Sequence, residues 1–209
     1  MKKNNILDAL KKKEIKTEDI AKKVMDNIDL LPQLFAGISS TNSRIKFGSA
    51  KTLRTISEKN PEILYSKMDF FVNLLDNENN ILKWNALDII ANLTTVDFQN
   101  KFNKLFKKFY NHLNEGSLIT AAHVVDNSGK IALSKPELQN EITTKLLEVE
   151  KIPLPTKECR NILIGKTIKA FEVYYDRIKD KDKVISFVKL HSNNPRNTTK
   201  ARAEKFLRT

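Results

Sequence analysis

Two segments of this chain match each other position by position, 37 residues apart. Segment 45–50 reads IKFGSA and segment 82–87 reads LKWNAL, so apolar, lysine, aromatic and small residues fall in register. The same offset pairs Leu53 with Ile90. A repeat of this length is typical of folds in which one supersecondary unit stacks on the next, because a single unit cannot bury its own apolar face.

Further copies follow along the chain. In a third copy, at an offset of 38, aromatic residues align with the apolar positions of the first helix of the second copy. A fourth, looser copy is indicated by Gly165-Lys166, which matches Gly129-Lys130 at an offset of 36. These offsets predict that Lys46 and Lys83 hold equivalent positions, and that Lys130 and Lys166 do so as well.

Each copy contains two amphipathic segments. Apolar residues recur at i, i+3, i+4 and i+7, as in segment 31–38, which predicts helices rather than strands. Short polar joints at 39–42, 76–80 and 114–117 separate them, as antiparallel helix pairs require. Thr156 is the predicted N-cap of the second helix of the fourth copy, which should extend to about Ile178. With only 5 Gly and 6 Pro, the composition also favours an all-α fold.

The unit of about 37 residues carries a small residue in the middle of its second helix, Ser49 or Ala86, and an apolar residue four positions later, Leu53 or Ile90. This unit resembles the HEAT repeat family and its armadillo relatives. The resemblance implies an all-α, right-handed α-solenoid of about five antiparallel helix pairs, forming one domain over 1–209. Its predicted parts are an N-terminal cap at 1–29 and repeats at about 30–58, 59–95, 96–133, 134–178 and 179–209.

The resemblance also implies a scaffold that binds its partner on a concave face lined by the second helices. The chain has 37 Lys and Arg against 25 Asp and Glu, a net charge of +12 that would attract polyanions. The predicted partner-binding residues are the basic ones on the second helices: Lys46, Lys51, Arg54, Lys83, Lys130, Arg160, Lys166 and Lys169. We expect a protein or acidic peptide as partner. Two alternatives remain: the partner is a nucleic acid, or these residues form only a solvated basic surface that binds no partner.

No arrangement of residues predicts an enzyme. The single cysteine, Cys159, is expected to be a structural residue, and the three histidines lack metal-ligand spacing. Some HEAT-like proteins are DNA glycosylases, and Trp84 with Asp88 lies at i, i+4. Trp84 is nevertheless predicted to be core, together with Phe47, with which it aligns. We therefore expect no catalytic residue, cofactor, metal or small-molecule substrate.

Aromatic residues on the first helices are also predicted to be core: Phe70, Phe71, Phe106 and Phe109. The basic cluster 101–108 lies on a first helix and is interpreted as convex, solvated surface. No apolar stretch approaches the roughly 18 residues that span a bilayer. A single cysteine also fits a reducing compartment, so we expect a cytoplasmic protein without a membrane partner.

Overall fold

A computed structural model describes residues 5–12 and 15–208, and within these ranges the chain is all-α, with 13 α-helices and no strand. The all-α prediction is confirmed. Parts of the predicted cap (1–4, 13 and 14) and the last residue of the final predicted repeat lie outside the described residues. The chain divides into two compact units, Met1–Asp97 and Phe98–Thr209.

The first unit is built around one long helix, α4, which packs against α1, α2, α3 and α7. Helix α7 packs in turn against α6. The helices of this unit are α1 (Ile6–Lys12), α2 (Thr17–Asp26), α3 (Leu31–Ile38), α4 (Ser43–Lys59), α5 (Glu62–Tyr65), α6 (Met68–Leu74) and α7 (Asn80–Leu93).

The second unit is centred on α11, which packs against α9, α10 and α13. Helix α11 ends at Tyr174, before the predicted end at about Ile178, and a 3₁₀ turn over Tyr175–Arg177 follows it. The helices of this unit are α8 (Lys101–Asn111), α9 (Leu118–Ser134), α10 (Gln139–Leu147), α11 (Lys157–Tyr174), α12 (Lys181–Leu190) and α13 (Asn197–Phe206).

The N-caps of the long helices repeat at atomic detail. Asn42 Oδ1 accepts hydrogen bonds from the backbone N–H groups two and three residues ahead, and Asn79 Oδ1 accepts the equivalent pair. Ser117 and Thr156 each accept one such bond, so the predicted cap at Thr156 is confirmed. Each side chain satisfies backbone donors that a helix start leaves unpaired. The four caps therefore follow one another at nearly equal intervals, each one position longer than the interval before it.

This cap register corrects one sequence prediction. Lys130 is the thirteenth residue after Ser117, whereas Lys166 is only the tenth after Thr156, so the two lysines are not equivalent. Lys169, the thirteenth residue after its cap, is the counterpart of Lys130. The connection before α11 contains two prolines and is longer than an offset of 36 allows, which shifts the start of the helix.

The core follows the same register. The seventh residue after each cap has no solvent exposure, whether it is small in the first unit (Ser49, Ala86) or large in the second (Val124, Leu163). In the first unit, Asn92 Nδ2 donates to Ser57 Oγ over 2.9 Å and joins α7 to α4, a separation of 35 residues. In the second unit, a hydrogen bond between two residues 37 positions apart joins α13 to α11. Within each unit, helices about one repeat apart are thus tied together by polar contacts as well as by apolar packing.

One glycine brings two long helices unusually close. A Cβ on Gly129 of α9 would lie 2.8 Å from Val173 Cβ and 3.1 Å from the carbonyl oxygen of Ala170, both on α11. Carbon atoms normally approach to about 3.5–4.0 Å. The α9–α11 contact therefore depends on the missing side chain.

Candidate interaction surface on the long helices

The eight predicted basic residues all lie on long helices. In the first unit α4 carries Lys46, Lys51 and Arg54, and the contacting helix α7 carries Lys83. In the second unit α9 carries Lys130, and the contacting helix α11 carries the remaining three, which are Arg160, Lys166 and Lys169. Within each unit, the structure therefore brings the predicted residues onto two neighbouring helices.

Acidic side chains lie among these basic residues. Arg54 Nη1 lies 3.3 Å from Asp88 Oδ2, which links α4 to α7. Lys166 Nζ lies 2.5 Å from Asp126 Oδ2, which links α11 to α9. Asp88 and Asp126 are each the ninth residue after their caps, so the acidic position itself recurs. In each unit, the surface of the long helices therefore carries charges of both signs rather than basic charge alone.

A third pair joins α4 to α2. Lys51 Nζ lies 3.2 Å from Glu18 Oε1, and both side chains are 50% exposed. A hydrogen bond from its own backbone N–H, followed by the hydrogen bond from Lys51, holds the pKa of Glu18 below its usual range. An ion pair as exposed as this contributes little to folding, because water screens it and ordering two long side chains costs entropy.

Two aromatic residues that were predicted to be core are half-buried instead. Phe47 and Trp84 are each the fifth residue after a cap, on α4 and α7 respectively, and each follows an equivalent lysine. Their alignment was predicted correctly, but their burial was not. Phe71, Phe106 and Phe109 are buried as predicted.

A cavity of about 390 Å³ adjoins Phe47, and we call it the α4 cavity. Its walls come from the α1–α2 region and from the N-terminal half of α4. Two cationic side chains line it, and none of its described lining residues is acidic. Arg44 Nη1 donates to the carbonyl oxygen of Lys11 over 3.3 Å, which holds the guanidinium at the cavity. The lining residues are Leu10, Ile15, Thr17, Ser43, Arg44, Phe47, Gly48 and Lys51.

Arg44, Phe47 and Lys51 form one stripe on α4, at the second, fifth and ninth residues after the cap. The same positions on α7 hold Ile81, which is 40% exposed, Trp84 and Asp88. Sequence analysis missed Arg44 and Ile81 and assigned the aromatic members to the core. Counting from the two asparagine caps would have placed each set of three on one face of its own helix, because residues at i, i+3 and i+7 share a side.

A second apolar cavity, of about 430 Å³, lies in the first unit between the α3 region and the start of α6. Phe70 lines it and is half-buried, contrary to the core prediction. The Phe70 ring packs edge-on against Phe35, with ring centroids 4.9 Å apart. The other lining residues are Ile28, Leu31, Pro32, Phe35 and Lys67.

The histidines lie in separate places. His112 is buried, with Nδ1 2.6 Å from Glu115 Oε1. His191 is buried against the Phe187 ring, with Nε2 3.6 Å from Glu150 Oε1. Burial lowers the pKa of His191, and the nearby Glu150 carboxylate opposes this shift. Among the described residues, no group of three or more His, Cys, Asp or Glu side chains could hold a metal ion.

Comparison with known proteins gave no relative: no protein-family model, curated protein or solved structure matches the chain. None of the helices in the described ranges is both long enough and apolar enough to cross a membrane.

Proposed function

We propose that this chain is a HEAT-like α-solenoid scaffold with no enzymatic activity, and that its long second helices bind an acidic segment of a partner protein. The repeat register supports the HEAT-like assignment, since the caps of four long helices follow one another at nearly equal intervals. HEAT-like arrays are scaffolds whose ligands differ between proteins, so the choice of partner has to rest on the surface itself.

The observation that carries the proposal is the recurrence of a lysine followed by a half-buried aromatic residue on two contacting helices. Lys46 and Phe47 on α4 correspond to Lys83 and Trp84 on α7. Aromatic residues are enriched at protein–protein interfaces, and Trp is among the residues that most often dominate the binding energy. Basic side chains beside them would give the surface a preference for carboxylates.

Nucleic acid is the second candidate, and the net charge of +12 favours it. Phosphates would, however, meet the carboxylates of Glu18, Asp88 and Asp126 on these same helices or beside them. An acidic protein segment also carries apolar and neutral residues, so it places fewer negative charges against these carboxylates than the uniform phosphate backbone of a nucleic acid does. We therefore favour the protein partner.

The proposal is tested by charge reversal. A variant with Lys46→Glu, Lys83→Glu, Lys130→Glu and Lys166→Glu should lose partners that the wild-type chain retains in a pull-down. The matched control reverses four exposed lysines outside the long helices: Lys22, Lys104, Lys107 and Lys145. Far-UV circular dichroism checks that both variants remain helical. If both variants retain the same partners, the assignment to the long-helix surface is wrong.

The two partner classes are separated by salt. Binding to a single-stranded oligonucleotide, followed by fluorescence anisotropy at low and physiological salt, should weaken steeply if phosphate contacts provide the affinity. No binding at low salt excludes nucleic acid as the partner.

A further inference from the structure

We infer that the α4 cavity receives one apolar side chain of a partner peptide, flanked by two carboxylates that bind Arg44 and Lys51. This inference rests on the proposed function and specifies its ligand. It starts from the composition of the cavity, which combines an apolar interior with two cations among its lining residues.

The interior suits an aliphatic or aromatic side chain. Leu10, Ile15 and Phe47 supply apolar walls, and the volume of about 390 Å³ lies within the usual range of ligand pockets. Gly48 adds a wall without a side chain, and a Cβ there would lie 2.8 Å from Leu10 Cδ2. Covering these surfaces with an apolar group removes them from water, which favours binding.

The cations flank this interior. Arg44 and Lys51 lie seven residues apart on one helix, which places their Cα atoms about 10 Å apart along the axis, with Phe47 between them. An extended peptide advances about 3.3 Å per residue. Two acidic residues about three positions apart would therefore reach both cations, with an apolar residue between them.

Both cationic side chains can bind such a ligand. The Arg44 guanidinium has five N–H donors, of which the bond to the Lys11 carbonyl uses one. Lys51 is paired with Glu18, but both partners are half exposed, so an incoming carboxylate can replace Glu18 at little cost.

The test uses the full-length chain, labelled with ¹⁵N, and two synthetic peptides. One contains Glu-Leu-Ser-Glu between Gly-Ser flanks, and the other replaces its Leu by Ser. The Leu peptide should shift the backbone amide signals of Phe47 and Gly48, and should bind about tenfold more tightly than the Ser peptide because it buries one more apolar side chain.

Two pairs of variants, each a test and its control, locate the binding. Ser43→Trp fills the cavity from an exposed position at the start of α4 and should weaken the Leu peptide about tenfold. Ser66→Trp, at an exposed position outside the cavity lining, is the control and should bind like the wild type. Arg44→Gln should weaken both peptides, whereas Lys59→Gln, at the far end of the same helix, should weaken neither.

Three outcomes would overturn the inference. These are unchanged Phe47 and Gly48 signals, equal affinity for the two peptides, and displacement of the Leu peptide by a single-stranded oligonucleotide that binds more tightly. The charge-reversal pull-down changes neither Arg44 nor Lys51. A failed peptide test with a positive pull-down would therefore reject the cavity ligand and leave the proposed function standing.

Discussion

Substituting Gly129 by Ala tests the close approach of α9 and α11. The added Cβ would lie 2.8 Å from Val173 Cβ and 3.1 Å from the Ala170 carbonyl oxygen. The first distance is about 0.7 Å shorter than a normal carbon–carbon contact. Because one neighbour is a backbone atom and the other a Cβ, neither can move without displacing α11.

The expected magnitude combines two opposing effects. Overpacking in a close-packed interior costs about 1–3 kcal/mol. Alanine in place of glycine stabilises a helix interior by about 1 kcal/mol. Since the strain here falls on the backbone, we take the upper part of the first range and expect the Gly129→Ala chain to lose about 1–2 kcal/mol of unfolding free energy.

Urea denaturation followed by the helical circular dichroism signal measures this loss as a shift of the midpoint at constant slope. Gly48→Ala is the matched control, because the only short contact of its Cβ is with the terminal methyl group of Leu10, which can rotate away. The control should be neutral or up to about 1 kcal/mol more stable. If Gly129→Ala is also neutral or stabilising, α9 and α11 do not approach each other at this glycine.

Three further predictions concern single sites. Gly116 has a φ of +73°, so Gly116→Ala should cost about 1 kcal/mol in unfolding free energy, and Gly116→Asn should cost less in the same urea assay. Burial lowers the pKa of His191 from 6.5, and the Glu150 carboxylate opposes this shift, so the folded state favours the neutral ring. The neutral ring's contribution to the free energy of unfolding should therefore be complete above about pH 6.5 and decline as the pH falls below it. His191→Gln should remove this decline in urea titrations at each pH, and an unchanged pH profile would contradict the assignment. Arg54 and Asp88 are 32% and 18% exposed, so a double-mutant cycle to Ala should give a coupling of about 0.5–1 kcal/mol, and a coupling near zero would show that the pair does not form.

The helix positions could be predicted from the sequence because each depends on local signals. The offset of 37 placed α4 and α7, and the all-α class followed from apolar spacing and composition. Thr156 caps α11 as predicted, since a cap needs only a side-chain oxygen and the next few backbone N–H groups. The fourth offset was wrong because two glycine-lysine pairs matched by chance across a longer, proline-containing connection.

The surface was harder to predict because it depends on how neighbouring helices are rotated. Repeat register aligned Phe47 with Trp84 but could not show how far the next helix covers each ring. The pairing of Arg54 with Asp88 involves side chains 34 residues apart and follows from the packing of α4 on α7. The α4 cavity needs the α1–α2 region beside α4, and no pattern within a single helix indicates that placement.

The hydrogen bonds between helices about one repeat apart also bear on how this chain folds. They join residues separated by about one repeat, 35 residues in one case and 37 in another. Contacts of such modest sequence separation close short loops at a small entropic cost and are associated with rapid folding. During synthesis, each new long helix of a unit could dock on its predecessor once about one further repeat of chain has emerged. The nascent protein would then hide its apolar faces stepwise and leave little unpaired surface for aggregation.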